Sequence, residues 1–349
     1  MRRAAALLLL LCLLVALSGC AAAMTDPPPE EPAEKATVDV SGQRALQTHE
    51  PLVLKLAVST GDEDPCTVSA RAFAEAVGER TGGQIQIQVN AASLLGEDEE
   101  LILSIVKGEG QADIVIADAA AFCAAEPDMG VSALPFLFAD YEDAWAFLDG
   151  PAESAAEEKL LEKGIRVLAH YDGGFHCMTN SVRPIMTPAD LEGLTVSCPI
   201  GDSLTEKLLL AFGANPRPLR MSELYPELML GSCDGQENTI AEICRNRLYE
   251  VQTYLAVTNH RYSALCLAVS EQAWNCLSSE ERLVLTEEAA ASAEANRALS
   301  REKTESLLAE LAGTMELTSP DLTLFRTAAE SIYTENPTGI SEAILAMLP

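Results

Sequence analysis

The sequence lacks the short motifs by which many enzyme families are recognised. No GxxxxGK[ST] loop, no GxGxxG after a strand, no HExxH and no GxSxG occurs in its 349 residues. The usual nucleotide-binding, hydrolase and zinc-protease signatures are therefore absent. Paired carboxylates such as Glu157 and Glu158 are typical of a solvated surface in a chain with 53 acidic residues. The sequence therefore gives little support for an enzymatic function, and no cofactor is predicted.

Positive charge is also scarce. Only 23 lysines and arginines oppose the 53 acidic residues, which gives a formal net charge of −30. If Arg2 and Arg3 are removed with an N-terminal leader, the charge becomes −32. Such a field repels nucleic acid and anionic lipid headgroups. Nucleic acid is therefore not an expected partner.

Ten cysteines are present, but none forms a CxxC pair. Eight of them lie between Cys66 and Cys276, mostly in apolar surroundings such as that of Cys266, where a free thiol behaves as a small hydrophobe. Two alternatives stay open, namely buried free thiols or one or more disulfides, because export permits bridges without requiring them. Only four scattered histidines occur, without ligand spacing, so no metal site is predicted.

The N-terminus has the pattern of a bacterial export signal. Arg2 and Arg3 precede an apolar stretch over 4–17 that is too short for a dependable membrane span, and Leu-Ser-Gly-Cys follows at 17–20. This tetrapeptide resembles a lipobox, which implies a signal peptide over 1–20, an acylated Cys20 and a location outside the cytoplasmic membrane. Cleavage elsewhere and an uncleaved anchor remain alternatives. The proline-rich, acidic residues 21–50 predict a flexible tether.

The remaining 300 or so residues favour two domains with α/β architecture. Strands are predicted over 53–59, 84–89 and 113–116, with helices between them whose apolar stripes include Phe73 and Ile102. After Gly164 a second α/β unit follows, with strands over 165–170 and 195–198 and a helix over 204–212. The absence of proline and glycine from 279 to 312, behind the Ser278 and Glu281 capping box, predicts one helix about 50 Å long. Two helices broken near Asn296 are the alternative.

Several blocks of the body resemble the solute-binding proteins of tripartite ATP-independent periplasmic (TRAP) transporters, the DctP-like family in lipoprotein form. The matching blocks, in family order, are Leu54-Lys55-Leu56-Ala57, Thr81-Gly82-Gly83, Leu95-Gly96, Leu134-Pro135-Phe136, Thr179-Asn180-Ser181, Arg183-Pro184-Ile185, Asp190-Leu191-Glu192-Gly193-Leu194, Gly213-Ala214-Asn215-Pro216, Ser222-Glu223-Leu224-Tyr225, Asp234-Gly235-Gln236-Glu237-Asn238 and Leu248-Tyr249-Glu250-Val251-Gln252.

The resemblance implies a two-lobed periplasmic-binding-protein-like α/β fold with hinge strands and a long C-terminal helix that spans both lobes. We expect lobe I over 51–172 and 263–300, and lobe II with the spanning helix over 173–262 and 301–349. The resemblance further implies a monomer that closes on one small solute and delivers it to membrane permease subunits, without catalysis. A receptor that serves a membrane sensor, or an enzyme that uses His176 with Asp118 or Glu237, are the alternatives.

The chain departs from the family where the ligand carboxylate is usually bound. Ser197 and His176 occupy the positions of two family arginines, while Asn238 remains at a third common ligand position. One alternative is a neutral polar ligand read by Ser197, His176, Asn238 and Gln236. Another is an anion bound by a relocated cation, Arg220 or Arg261. A third alternative is that protonated His176 provides part of the positive charge for an anion. A fourth is that the protein has lost ligand binding for transport.

Family position also points to Ser59, Asp118, Ile200 and Met221 as ligand-binding residues. Asp118 has a second interpretation, because aspartate directly before a helix serves as its N-cap. His176 similarly has an alternative role as a hinge residue bonded to the backbone, and Ser197 as a strand hydroxyl that fills a narrow slot.

Overall fold

The computed structural model describes residues 50–348. Cys20, the leader and all but the last residue of the expected tether lie outside this range. The strands within it are β1 (Leu52–Val58), β2 (Ile85–Asn90), β3 (Ile114–Asp118), β4 (Ile165–Asn180), β5 (Thr195–Pro199), β6 (Asn215–Leu219), β7 (Gly235–Thr239), β8 (Tyr254–Ala256), β9 (Tyr262–Ser270) and β10 (Glu316–Thr318).

The α-helices of the same range are α1 (Pro65–Arg80), α2 (Asp98–Lys107), α3 (Ala119–Phe122), α4 (Tyr141–Leu148), α5 (Pro151–Glu162), α6 (Ser203–Ala211), α7 (Met221–Met229), α8 (Ile240–Arg245), α9 (Glu271–Cys276), α10 (Ser279–Leu311), α11 (Leu322–Glu335) and α12 (Glu342–Leu345). The predicted strands and helices of both α/β units fall on these elements with shifts of one or two residues at most ends.

The strands form one mixed sheet in the order β2-β1-β3-β9-β4-β7-β5-β6, with β8 paired to β4 and β10. The 16-residue strand β4 connects its two parts. Ile165–Phe175 of β4 pair with β9 in the first half-sheet (β2, β1, β3 and β9), and 176–180 pair with β7 and β8 in the second half-sheet (β7, β5, β6, β8 and β10). The sheet therefore passes from one half of the molecule into the other through a single continuous strand.

The predicted strand over 165–170 was too short, because β4 continues to Asn180. A register shift between Asp172 and Gly174 lets the strand continue through the pair Gly173 and Gly174. At Gly173 a Cβ atom would lie 2.5 Å from the Ser263 hydroxyl, and Gly174 has φ +91°. These glycines allow a close strand approach and a bend rather than ending the strand.

Side-chain alternation along the first half-sheet produces a core on each face. On β1 and β3, Leu56 and Ile116 pack with Phe73 of α1 and Leu285 of α10 on one face, while residues of the opposite parity face α2 and α5. Full burial of each large apolar side chain stabilises the fold by about 1.5–3 kcal/mol. This two-sided burial gives a three-layer arrangement, in keeping with the α/β architecture predicted from the sequence.

The second half-sheet has the same construction. On one face, Val196 of β5 packs with α6 and α11, and on the other face Leu255 of β8 packs with α7 and α8. Leu307 and Leu311 of α10 belong to this last cluster. Helix α10 thus contributes to the cores of both halves.

Helix α10 is continuous over 33 residues, which confirms the single long helix. The Ser278 and Glu281 capping box closes its N-terminus as predicted. Asn296 does not break it, because its fully buried side chain bonds to other elements: Oδ1 accepts from the Asp172 backbone N–H at 2.7 Å, and Nδ2 donates to the Ser69 hydroxyl at 3.3 Å.

The eight cysteines from Cys66 to Cys276 are all free thiols, and five of them are buried. Of the two alternatives left by the sequence, the structure therefore has the free thiols. Within residues 50–348, none of the helices is both long and apolar enough to cross a bilayer.

Candidate ligand-binding site

A cavity of about 620 Å³, with charged and polar side chains among its lining residues, lies between the two half-sheets. Its walls include the residues that follow the carboxyl ends of β1, β3, β5 and β7, where open α/β sheets place their ligands. Side chains of α10 also reach it. The lining residues on which the argument depends are Ser59, Asp98, Asp118, Asp172, His176, Ile200, Asp202, Met221, Asn238, Arg261 and Lys303.

Six of the eight predicted ligand-binding residues line this central cavity. They are Ser59, Asp118, His176, Ile200, Met221 and Asn238. They come from both half-sheets and from the crossing strand β4. The predicted motifs therefore converge on one volume.

Ser197 and Gln236 are not among the lining residues, contrary to their expected contact with ligand. They are 5% and 0% exposed, and each lies two residues earlier on its strand than a residue that does line the cavity. Gln236 instead supports the wall, because its Oε1 accepts from Asn238 Nδ2 at 2.6 Å while its Nε2 donates to Thr179 Oγ1 at 2.9 Å. Its role in this geometry is to orient Asn238.

Arg261 brings a buried cation to the cavity. Its side chain precedes β9 and is 6% exposed, with Nη1 2.7 Å from Asp202 Oδ2 and 3.0 Å from Thr205 Oγ1. Its Nε has no hydrogen-bond partner. Burial alone lowers the pKa of this guanidinium, but Asp202, Glu237 and Asp118 outweigh that effect and raise it, so the group stays charged.

Arg220, the other proposed replacement cation, points elsewhere. Its side chain is 73% exposed and lies 3.9 Å from Glu223 on the surface, outside the cavity lining. Of the two arginines considered from the sequence, only Arg261 is positioned to meet a ligand.

His176 is held by a buried acidic partner. Its Nδ1 lies 2.5 Å from Glu237 Oε2, and His260 Nε2 lies 3.4 Å from the same oxygen. Burial raises the pKa of Glu237, but His176 and Arg261 outweigh it and hold the pKa well below its usual range. A fixed carboxylate at Nδ1 directs the other ring nitrogen, Nε2, towards Arg261 Nη2 at 3.4 Å.

Asp118 is the N-cap of α3, and it also lies in the cavity lining where the ligand role was predicted. As N-cap of α3 it accepts from the Ala120 backbone N–H at 2.8 Å, and its second oxygen accepts from the Ser263 hydroxyl. Its side chain is therefore preoriented by the helix terminus and presented to a ligand.

Asp98 and Asp172, two other carboxylates of the cavity lining, were not predicted from the sequence. Burial raises the pKa of both Asp98 and Asp172 to about 6. Asp98 accepts from the Ser59 hydroxyl at 3.3 Å, and Asp172 accepts from Tyr262 Oη at 3.0 Å while its Oδ2 has no partner. These oxygens are acceptors for the hydroxyl or amino groups of a ligand.

A mixed sheet shared by two halves, with a polar cavity between them, is the architecture of the bilobed solute-binding proteins. The family model "Bacterial extracellular solute-binding protein, family 7" (DctP) matches residues 56–337. The chain belongs to this family. The resemblance noted in the sequence and the two-lobed α/β fold are thereby confirmed.

The chain is 32% identical over 292 residues to the uncharacterized protein y4mM of Sinorhizobium fredii, covering 82% of this chain and 53% of that protein. It thus spans about half the length of y4mM. It is 32% identical over 236 residues to the 2,3-diketo-L-gulonate-binding periplasmic protein YiaO of Escherichia coli, covering 68% of this chain and 71% of YiaO. A crystal structure of a TRAP periplasmic solute-binding protein from Roseobacter denitrificans with bound β-D-glucuronate superimposes with a TM-score of 0.79 at 27% identity, covering 85% and 98% of the two chains.

Proposed function

We propose that this protein is the extracytoplasmic receptor of a TRAP-type importer and that its solute is a hydroxylated monocarboxylate, a compound of the sugar-acid class. The observation that carries the ligand class is Arg261, a buried and charged guanidinium in the cavity wall. A planar guanidinium makes charge-assisted hydrogen bonds to a carboxylate, which a serine hydroxyl at 197 does not match.

The rest of the cavity suits the hydroxyl groups of such a ligand. Asp98, Asp118 and Asp172 offer acceptor oxygens, and Ser59 and Asn238 offer groups that both donate and accept. A second carboxylate on the ligand would meet these acidic side chains and be repelled. The 2,3-diketo-L-gulonate named for YiaO and the glucuronate bound in the Roseobacter protein are sugar acids with one carboxylate, which supports the same class.

Binding is coupled to closure of the two lobes in this proposal. The ligand contacts groups of both half-sheets, so it stabilises the closed form by the contacts that only this form provides. Lobe I over 51–172 and 263–300 then moves against lobe II over 173–262 and 301–349. The ion pair between Arg245 Nη1 of α8 and Asp64 Oδ2 at the start of α1, 3.2 Å apart, is a contact that would form on closure.

The N-terminal residues outside the described range complete the proposal. Cleavage before Cys20 and acylation of its thiol, including a palmitate chain, would anchor a monomer to the outer face of the cytoplasmic membrane. Residues 21–50 would then act as a tether that lets the receptor reach the permease subunits. No catalysis is proposed, and recovery of unchanged solute after incubation with the protein is the expected result by mass spectrometry.

Titration calorimetry with D-glucuronate, D-galactonate, succinate and D-glucose tests the ligand class. We expect at least one of the two sugar acids to bind. Glucose should bind at least about tenfold more weakly, because loss of a charge-assisted hydrogen bond costs about 1.5–3 kcal/mol. Succinate should also bind more weakly, because its second carboxylate is repelled by the acidic side chains of the cavity. Tight binding of glucose with no binding of acids would refute the role of Arg261.

A pair of arginine variants locates the carboxylate. Arg261→Gln should weaken binding of the acid by more than about tenfold, while the matched control Arg220→Gln should leave it within about twofold. Circular dichroism of both variants first checks that each is folded. Equal affinities of the two folded variants would remove Arg261 from the site.

A further inference from the structure

Three potential metal ligands, Glu153, His170 and Cys266, meet in the core of the first half-sheet, and Glu157 lies beside them, away from the central cavity. Glu153 and Glu157 lie one helical turn apart on α5, so both face the same side. His170 on β4 and Cys266 on β9 are direct partners in the antiparallel register, so they share one face of the sheet. None of the four lines the central cavity.

The donor atoms of this cluster have no other partners. Glu153 is 0% exposed, and neither of its carboxylate oxygens accepts a hydrogen bond; His170 Nε2, on a side chain 6% exposed, is also without a hydrogen bond. Cys266 is a free thiol with no exposed surface. A buried carboxylate without a hydrogen bond is costly, and a bound metal ion would compensate it more fully than His170, which lies 3.6 Å from it, does alone.

The spacing of the donors fits a shared ion. The ligand atoms of Glu153, His170 and Cys266 all lie within 4.8 Å of one another. His170 Nε2 is 3.6 Å from Glu153 Oε1 and 3.2 Å from Glu157 Oε1. Neighbouring ligands of a tetrahedral zinc ion are about 3.3–3.8 Å apart, given metal–ligand bonds of about 2.0–2.3 Å.

We propose that Glu153, His170 and Cys266 form a structural Zn²⁺ site, with Glu157 beside it at 3.2 Å from His170 Nε2. The mixture of thiolate, imidazole and carboxylate donors suits zinc and disfavours Ca²⁺ and Mg²⁺, which prefer oxygen ligands alone. Cys266 binds as the thiolate, and its proton passes to solvent. The three ligands are buried and come from α5, β4 and β9, so the ion would fasten these elements together.

Metal content after refolding is the direct test. The full chain is unfolded in urea with EDTA, desalted, and refolded with or without Zn²⁺; bound metal is then measured by inductively coupled plasma mass spectrometry. We expect about one zinc per chain and a higher melting temperature for the zinc-refolded sample. Absence of retained zinc, with the same melting temperature in both samples, overturns the proposal in favour of a metal-free His–Glu cluster.

Two matched pairs of variants locate the ion. Cys266→Ala and Glu153→Gln should each weaken zinc affinity by more than about 10–100-fold, the range seen when only a supporting partner of a ligand is lost. The controls are Cys276→Ala, an exposed thiol, and Glu158→Gln, an exposed carboxylate of the same helix. Refolding with Co²⁺ adds a spectroscopic readout, because thiolate coordination gives a charge-transfer band that Cys266→Ala should abolish. Zinc retained by both site variants, or cobalt bound without that band, overturns this location. Should Cys266→Ala fail to fold, the Glu153→Gln and Glu158→Gln pair still decides it.

Discussion

The pair formed by Arg261 and Asp202 allows a quantitative test of how strongly buried charges hold the cavity wall. The two side chains are 6% and 14% exposed, and their charged atoms are 2.7 Å apart. Breaking a buried pair costs about 3–5 kcal/mol, because one charge remains buried without its partner. Asp202 remains partly exposed to solvent and accepts two hydrogen bonds from Thr205. The loss of unfolding free energy in Arg261→Gln should therefore lie at the lower end of this range, about 3 kcal/mol.

The assay is a double-mutant cycle by urea unfolding. Asp202→Asn alone should cost less than Arg261→Gln, because Glu237 and Asp118 still stabilise the guanidinium. The double variant should be more stable than the sum of the single changes predicts, by at least about 1 kcal/mol. The exposed Arg220 and Glu223 pair is the control, with an expected coupling below about 0.5 kcal/mol. A coupling for the buried pair no larger than for this control would refute the reasoning.

Two further predictions concern pH and the long helix. Because burial raises the pKa of Asp98 and Asp172 to about 6, both carboxylates are charged at pH 7.5 and largely protonated at pH 5. A carboxylate ligand should therefore bind about 3–10-fold more tightly at pH 5, because protonation removes its repulsion by these two side chains. Asp98→Asn should make the affinity depend less on pH. Calorimetry that shows weaker binding at pH 5 would contradict this. Asn296→Ala should lower the free energy of unfolding by about 1–3 kcal/mol, because it leaves the buried Asp172 N–H without an acceptor. The control Glu294→Ala, on the exposed side of α10, should change the free energy of unfolding by less than about 0.5 kcal/mol in the same urea titration. Equal effects of the two variants would show that the hydrogen bonds of Asn296 do not stabilise the fold.

The regular elements were largely predictable because their signals are local. Helix α10 follows from the Ser278 capping box and from the absence of proline and glycine behind it. The full length of β4 did not follow, because Gly173 and Gly174 suggest an end to the strand unless the close approach of Ser263 on β9 is known. That contact joins residues 90 positions apart in sequence, so no local sequence pattern indicates it.

The motifs predicted which segments lie at the cavity, but not which of their residues line it. Asn238 and Gln236 belong to one motif, yet only the three-dimensional position of the strand end shows that one lines the cavity and the other supports it. Nothing in the sequence distinguished Asp98 and Asp172 from the rest of its 53 acidic residues. His170 and Cys266 are opposite each other only because β4 and β9 pair, so spacing rules for metal ligands did not apply to them.

The position of α10 also governs the order in which the chain is able to fold. The first core joins Phe73 near the N-terminus to Leu285 and Ala293, and the last one requires Leu307 and Leu311. A polypeptide that emerges from a narrow pore, amino end first, leaves the first core unfinished until Ala293 has come through and the last core unfinished until Leu311 has done so. The order of the elements in the chain thus disfavours early compaction of either core.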